Sequence, residues 1–288
     1  MIVSSTNTRF VITLVALLVI AAPLSARAAD DKATQQSPAA APDDDDMTIK
    51  PAEPDFTLIS LPTSLRLAQF KSAFRVTHRF ARPLTSDVGG LAGDLFGLDS
   101  GAQIGLEYRF GIVPNGEIGI HRTSDKTIEF FGQYGVVRQK TNLPLDISAL
   151  VSVDGTNNFR DRYVPALGAI LSRRFGARAA LYVEPTWVHH SNVQPSSGAE
   201  ADDTFMVGLG ARLRVRPTVS VVAESAPRVS GFRPGVNHGS VAIEKRAGGH
   251  VFQLNVSDSF ATTMGQIARG GPSSRNWYLG FNISRKFF

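Results

Sequence analysis

From Phe74 onward, apolar and polar residues alternate with a period of two, and this pattern constrains the chain more than any other feature. Phe74, Val76, His78 and Phe80 share one face of the first segment, and Arg75, Thr77 and Arg79 share the other. The split recurs in Ala102, Ile104, Leu106, Tyr108 and Phe110 against Gln103, Glu107 and Arg109, and again in Leu145, Ile147, Ala149, Val151 and Val153 against Asp146, Ser148 and Ser152. Phe205 to Leu213 and Trp277 to Ile283 repeat it. Such alternation sends apolar side chains to one sheet face and polar ones to the other. Many segments approach ten residues, which suits a tilted membrane strand better than the ~5–6 of soluble sheets. The polar face carries full charges, and in a closed barrel that face lines the lumen while the apolar face meets lipid.

The connections have a rhythm of their own. Short links fall at Val113-Pro114-Asn115-Gly116, Thr141-Asn142, Gly176-Ala177, Pro217 and Gly248-Gly249. Longer ones fall between them, at 82–100, 154–162, 190–202, 227–238 and 258–274, with 123–126 as a short exception. Tight turns on one side and long loops on the other match the periplasmic and extracellular ends of an outer-membrane barrel. The expected fold is all-β: a single transmembrane antiparallel β-barrel, an up-and-down meander of about 12 strands, the even count typical of bacterial barrels. The strands are expected near 72–81, 101–111, 116–122, 127–139, 144–153, 163–175, 178–189, 203–214, 218–226, 239–247, 250–257 and 276–287. Trp187, Tyr163, Phe110, Trp277 and Phe287 lie near strand ends, where an aromatic girdle belongs.

The start of the chain supplies the export route. Arg9, the apolar run from Phe10 to Ala22, and Ala26-Arg27-Ala28 have the layout of a cleaved secretory signal, assigned to residues 1–28. Residues 29–56 are rich in Ala, Pro, Gln and Asp, have no apolar period, and read as a disordered acidic periplasmic leader. The barrel is assigned to 57–288. The expected location is the outer membrane of a Gram-negative cell, with the leader and the C-terminus periplasmic. Absence of cysteine excludes disulfides, thiolate metal sites and a lipidated cysteine anchor. The net charge of +5 suits anionic lipid or lipopolysaccharide, and the export signal disfavours nucleic acid.

Four stretches carry a family likeness: FRVTHRFARPL at 74–84, FGLDSGAQIGLEYRFGI at 96–112, GGHVFQLNVSDS at 248–259 and LGFNISRKF at 279–287. Together they resemble the β-barrel family catalogued as domain of unknown function 5777. The resemblance implies an outer-membrane barrel and brings no activity with it. Phe288 falls one residue out of phase with the apolar frame that ends on Phe287, and the terminal aromatic is expected to serve recognition by the barrel-insertion machinery.

Three functions remain open. The leading one is a passive channel or transporter for small solutes, porin-like, lined by Arg75, Arg79, Glu107, Arg109, Glu129, Asp146, Arg174, Glu184, Arg212, Glu224 and Glu244. The same residues could instead pair with one another and close a narrow barrel. The second is a lipid-facing hydrolase. His189 and Ser191 share the outward frame at the end of the seventh segment and Asp203 opens the next, a base, nucleophile and carboxylate in order. The stretch HHSN at 189–192 is similar to the HxSN segment of lipid A deacylases, with Asp203 where those enzymes carry a glutamate. The third is a structural or lipopolysaccharide-binding barrel, with Arg82, Arg122, Arg160, Arg162, Arg228 and Arg233 at the outer rim. The balance lies against an enzyme. No cofactor or metal site is expected, and the oligomeric state is left open.

Overall fold

The computed structural model describes residues 52–84, Gly93, 101–192 and 202–287. The expected signal peptide, most of the leader and Phe288 lie outside the described residues. The alternating segments form β1 (Ser72–Pro83), β2 (Ala102–Val113), β3 (Gly116–Thr123), β4 (Ile128–Val137), β5 (Asp146–Gly155), β6 (Asp161–Phe175) and β7 (Ala179–Val188). They continue with β8 (Thr204–Arg216), β9 (Val219–Ala226), β10 (Arg228–Gly231), β11 (His238–Ala247), β12 (His250–Ser257) and β13 (Tyr278–Phe287). Each main strand pairs antiparallel with its sequence neighbours, β1 pairs with β13, and the β8–β9 pairing completes the circuit. The result is a closed up-and-down barrel of twelve strands with β10 added. Pro227 separates β9 from β10, and both run along β8. Proline has no N–H for the ladder, so an otherwise continuous strand is split there.

Burial is inverted relative to a soluble protein. Arg79, Arg212, Glu184 and Glu244 are at most 1% exposed, whereas Leu167, Ile243 and Leu254 are more than half exposed. Charged residues inside and a continuous apolar surface outside are what a bilayer requires of a barrel. Trp187, Tyr163 and Phe287 stand on the outside near strand ends, as the girdle reading expects. Apart from residues 124–127 between β3 and β4, the tight turns keep to one end. Between β11 and β12, Gly248 and Gly249 both take positive φ (52° and 78°), the backbone that a two-residue hairpin turn matched to strand twist demands.

Among the described residues, two short helical pieces with defined bounds sit in the connections. α1 (Thr156–Phe159) is a single turn in which Asn157 and Asn158 take left-handed angles, and α2 (Met264–Arg269) lies between β12 and β13. At the other end, residues 52–56, read from sequence as the tail of a disordered leader, are packed inside the barrel with Ala52, Glu53, Asp55 and Phe56 buried. They begin a segment running to β1 that fills much of the lumen.

Candidate functional site: the occupied lumen

The inserted segment is a finger. Thr57 and Pro62 form an isolated antiparallel bridge, Leu58 N donates to the Leu61 carbonyl at 2.8 Å, and Thr63 N donates to the Phe56 carbonyl at 2.8 Å. These few bonds leave most of its backbone groups unpaired, and buried backbone groups need partners. The wall supplies them. Glu224 on β9 receives Ile59 N at 2.9 Å, Ser60 N at 2.9 and 3.0 Å, and Leu61 N at 3.1 Å. Arg75 donates to the Ile59 carbonyl (3.2 Å), Arg212 to that of Thr57 (2.7 Å) and Gln253 to that of Leu58 (2.7 Å). Asn282 and Gln133 donate to the Ile59 and Thr63 carbonyls at 2.9 and 2.8 Å. Bonds to charged partners are the stronger kind. Gly210 makes room: a Cβ there would lie 2.1 Å from Leu58 Cδ1.

The base of the finger is also held. Tyr182 donates to Glu53 at 2.7 Å, Ser284 to Asp55 at 2.6 Å, and Ser64 and Ser172 are in direct hydroxyl contact. From the opposite end, the β12–β13 connection folds inward. Thr263 caps α2 with a capping box completed by Gln266. Asp154 accepts from Thr263 Oγ1 (2.6 Å) and Gly265 N (3.1 Å), and Glu129 accepts from Met264 N (3.1 Å). Next to this segment, burial pushes the Asp258 carboxyl above its ordinary pKa and the Arg269 guanidinium below its own. The two insertions meet where Ser60 Oγ donates to the Ala261 carbonyl at 2.9 Å. His238 ties them a second time, with Nε2 3.0 Å from Glu224 and Nδ1 2.9 Å from Ser259 Oγ. A cavity of about 30 Å³ remains between them, bordered by Ser60, Arg75, Glu107, Thr262 and Met264, with room for about one or two waters.

All eleven residues expected to line the lumen have strand positions on its wall, and all are buried except Arg174, which is partly exposed. Most pair: Arg75 with Glu107 (2.7 Å), Arg109 with Glu107 (2.5 Å), Arg174 with Asp146 (2.7 Å) and Arg212 with Glu244 (3.0 Å). Arg109 also bonds Glu117 at 2.7 Å, a lumen carboxylate not singled out from sequence although it shares the inward frame of β3. Some polar atoms find no protein partner: Nε and Nη2 of Arg79, both ring nitrogens of His121, both carboxylate oxygens of Glu184 and both amide atoms of Asn255.

The rim cluster departs from expectation. His189 Nδ1 does lie 2.6 Å from Asp203 Oδ1. Ser191, however, is fully buried, donates to the Asp202 carbonyl at 2.9 Å and contacts Thr204 Oγ1 at 2.8 Å. β7 ends at Val188 and His190 turns to φ 54°, so the alternation that would place His189 and Ser191 on one face stops between them. Arg228, expected on the rim, is likewise turned inward: it is 5% exposed and donates to the Arg269 carbonyl at 2.9 Å.

A family model described as a membrane bound beta barrel domain matches residues 55–287. No curated protein matches the chain in sequence. Among solved structures, the NanC porin aligns over 76% of this chain and 99% of its own at 5% identity and TM-score 0.47. Omp33 of Acinetobacter baumannii aligns over 76% and 99% at 11% identity and TM-score 0.39. The Escherichia coli outer membrane phospholipase A aligns over 79% and 97% at 11% identity and TM-score 0.40. At these values they carry no argument about activity.

Proposed function

The chain belongs to the membrane-bound β-barrel family catalogued as domain of unknown function 5777, and we propose that it is an outer-membrane channel for small solutes held shut by residues 52–70 and 258–270. The outer-membrane placement is supported by the even ring of strands, by most of the tight turns and both ends of the barrel lying on one side, and by the export signal read from the sequence. The observation that carries the channel reading is the lumen wall itself. Arg79, Glu184 and Asn255 are almost completely buried yet keep hydrogen-bonding atoms that no group among the described residues uses. A purely structural filling would satisfy or remove such groups, whereas a solute path needs them.

Closure is local and polar. The tip of the finger contributes one bridge of its own, and most of its other backbone bonds go to wall side chains that water could satisfy once it withdrew. A hydrolase reading has the His189–Asp203 pair in its favour, but the Ser191 hydroxyl is turned away into the interior. Planar-bilayer recording of the refolded mature chain tests the channel. Rare openings are expected from the wild type and frequent ones from Glu224→Ala, which removes the acceptor of three finger amides. Silence from both, in protein whose barrel fold is intact, rejects it.

A further inference from the structure

Most lumen charges are neutralised in place. Arg75, Arg109, Arg174 and Arg212 each face a carboxylate. Glu224 is held by the finger amides and His238, and Glu129 and Asp154 receive backbone N–H groups from α2. Arg79 and Glu184 lie outside this pairing. Among the described residues, Arg79 on β1 bonds Asn282 Oδ1 (2.9 Å) and the adjoining His78 carbonyl (3.1 Å), leaving Nε and Nη2 unused. Glu184 on β7 has no partner for either carboxylate oxygen. Their exposures are 0% and 1%. Burying an ionisable group without partners is costly whether it keeps its charge or gives it up, because its polar atoms lose their hydrogen bonds to water, and the closed state returns nothing for it.

Their positions are related by topology. In the ring order, β1 and β7 are six strands apart in both directions, which puts Arg79 and Glu184 on opposite walls. Strands ~4.8 Å apart and tilted ~40° give a ring of about 24 Å between backbones. The finger tip occupies the space between. Asn282, which holds Arg79, also donates to the Ile59 carbonyl, and Leu61 packs over Gly208, the cross-strand neighbour of Glu184. When the tip leaves, a guanidinium and a carboxylate confront each other across the lumen with their hydrogen-bonding atoms already free.

We propose that Arg79 and Glu184 form a transverse charge pair selecting small zwitterions, the solute carboxylate turned to Arg79 and its ammonium to Glu184. Such a solute answers both charges at once, which a neutral polyol or a simple anion cannot do. This rests on the channel reading above, and the test separates the two.

The experiment is osmotic swelling of proteoliposomes containing the mature chain with Glu224→Ala, comparing serine, erythritol and N-acetylserine, which lacks the ammonium. Serine is expected to enter about fivefold faster than either control, the contribution of one exposed ion pair of about 1 kcal/mol. Arg79→Met and Glu184→Gln, made separately in that background, should each bring the ratio to about one. Glu184→Gln keeps the side chain's shape and removes only its capacity for charge, so its barrel should resist heat about as well as the parent; a Glu184→Gln barrel that is much less heat-resistant gives Glu184 a structural role and contradicts the assignment. Equal entry of serine and erythritol overturns the zwitterion site while leaving the channel standing, and entry of N-acetylserine as fast as serine reduces it to an anion site. A serine preference that survives both substitutions removes these residues from the role. Failure of every solute to enter overturns the channel reading, and this inference with it.

Discussion

The finger at 52–70 and the inward loop at 258–270 fill one lumen from opposite ends and both give amides to wall carboxylates, but they differ in how much structure they bring with them. α2 brings a capping box of its own, Thr263 with Gln266, which takes the Gln266 amide, while its first two amides go to the wall carboxylates Glu129 and Asp154. The finger has one bridge and a few side-chain bonds near its base, such as Thr63 to the Asp55 carbonyl and Ser64 to Glu53, whereas the backbone of its tip relies on wall side chains: Arg75, Arg212, Gln253, Asn282 and Glu224. A segment with its own cap keeps its structure when a neighbour moves. A segment whose bonds belong to the wall docks or leaves as a unit, and low local stability of this kind is what moving elements are drawn from.

Removing the shared acceptor should have the largest effect. In Glu224→Ala three buried amides lose their partner, at about 3 kcal/mol in all. Hydrogen exchange across Ile59, Ser60 and Leu61 should accelerate about a hundredfold, while α2 stays protected. Unchanged exchange at the tip would break the comparison. Gly210→Val is expected to do less. Its side chain must displace Leu58, at about 1–3 kcal/mol, and the loosening should again be confined to the finger. The smallest change is Thr263→Ala, about 1 kcal/mol of capping, read as faster exchange in 263–269 alone. Should the finger loosen as much as α2 does, the Ser60–Ala261 contact makes the two insertions one unit, and the contrast between them is lost.

Much of the barrel was legible in the sequence because each strand faces two different media, and every second residue reports which one it meets. Arg75, Thr77 and Arg79 could be sent inward on that ground alone. The finger was not legible. Residues 52–70 have no period, and the groups that hold them are distant in the chain: Glu224 lies 164 residues from Ser60. The apolar run Leu58-Ile59-Ser60-Leu61 and the Thr263-x-x-Gln266 capping box were the signals available, and both lay in stretches read as leader edge or loop. Ser191 was misplaced for a more local reason. Parity holds only while the strand continues, and one left-handed residue at His190 ends it. The unpartnered state of Arg79 and Glu184 depends on three-dimensional pairing that alternation does not encode.

A reversible lock tests the central claim most directly. The chain has no cysteine, and the Ser64 and Ser172 hydroxyls touch across the gap between finger and β6. In a protein carrying Ser64→Cys, Ser172→Cys and Glu224→Ala, a single disulfide should tether the finger to the wall. The account predicts silent bilayers when that disulfide is formed and frequent openings within the same recording after a reductant is added. Equal conductance in the oxidised and reduced states would contradict it, because the finger would then not be what closes the lumen.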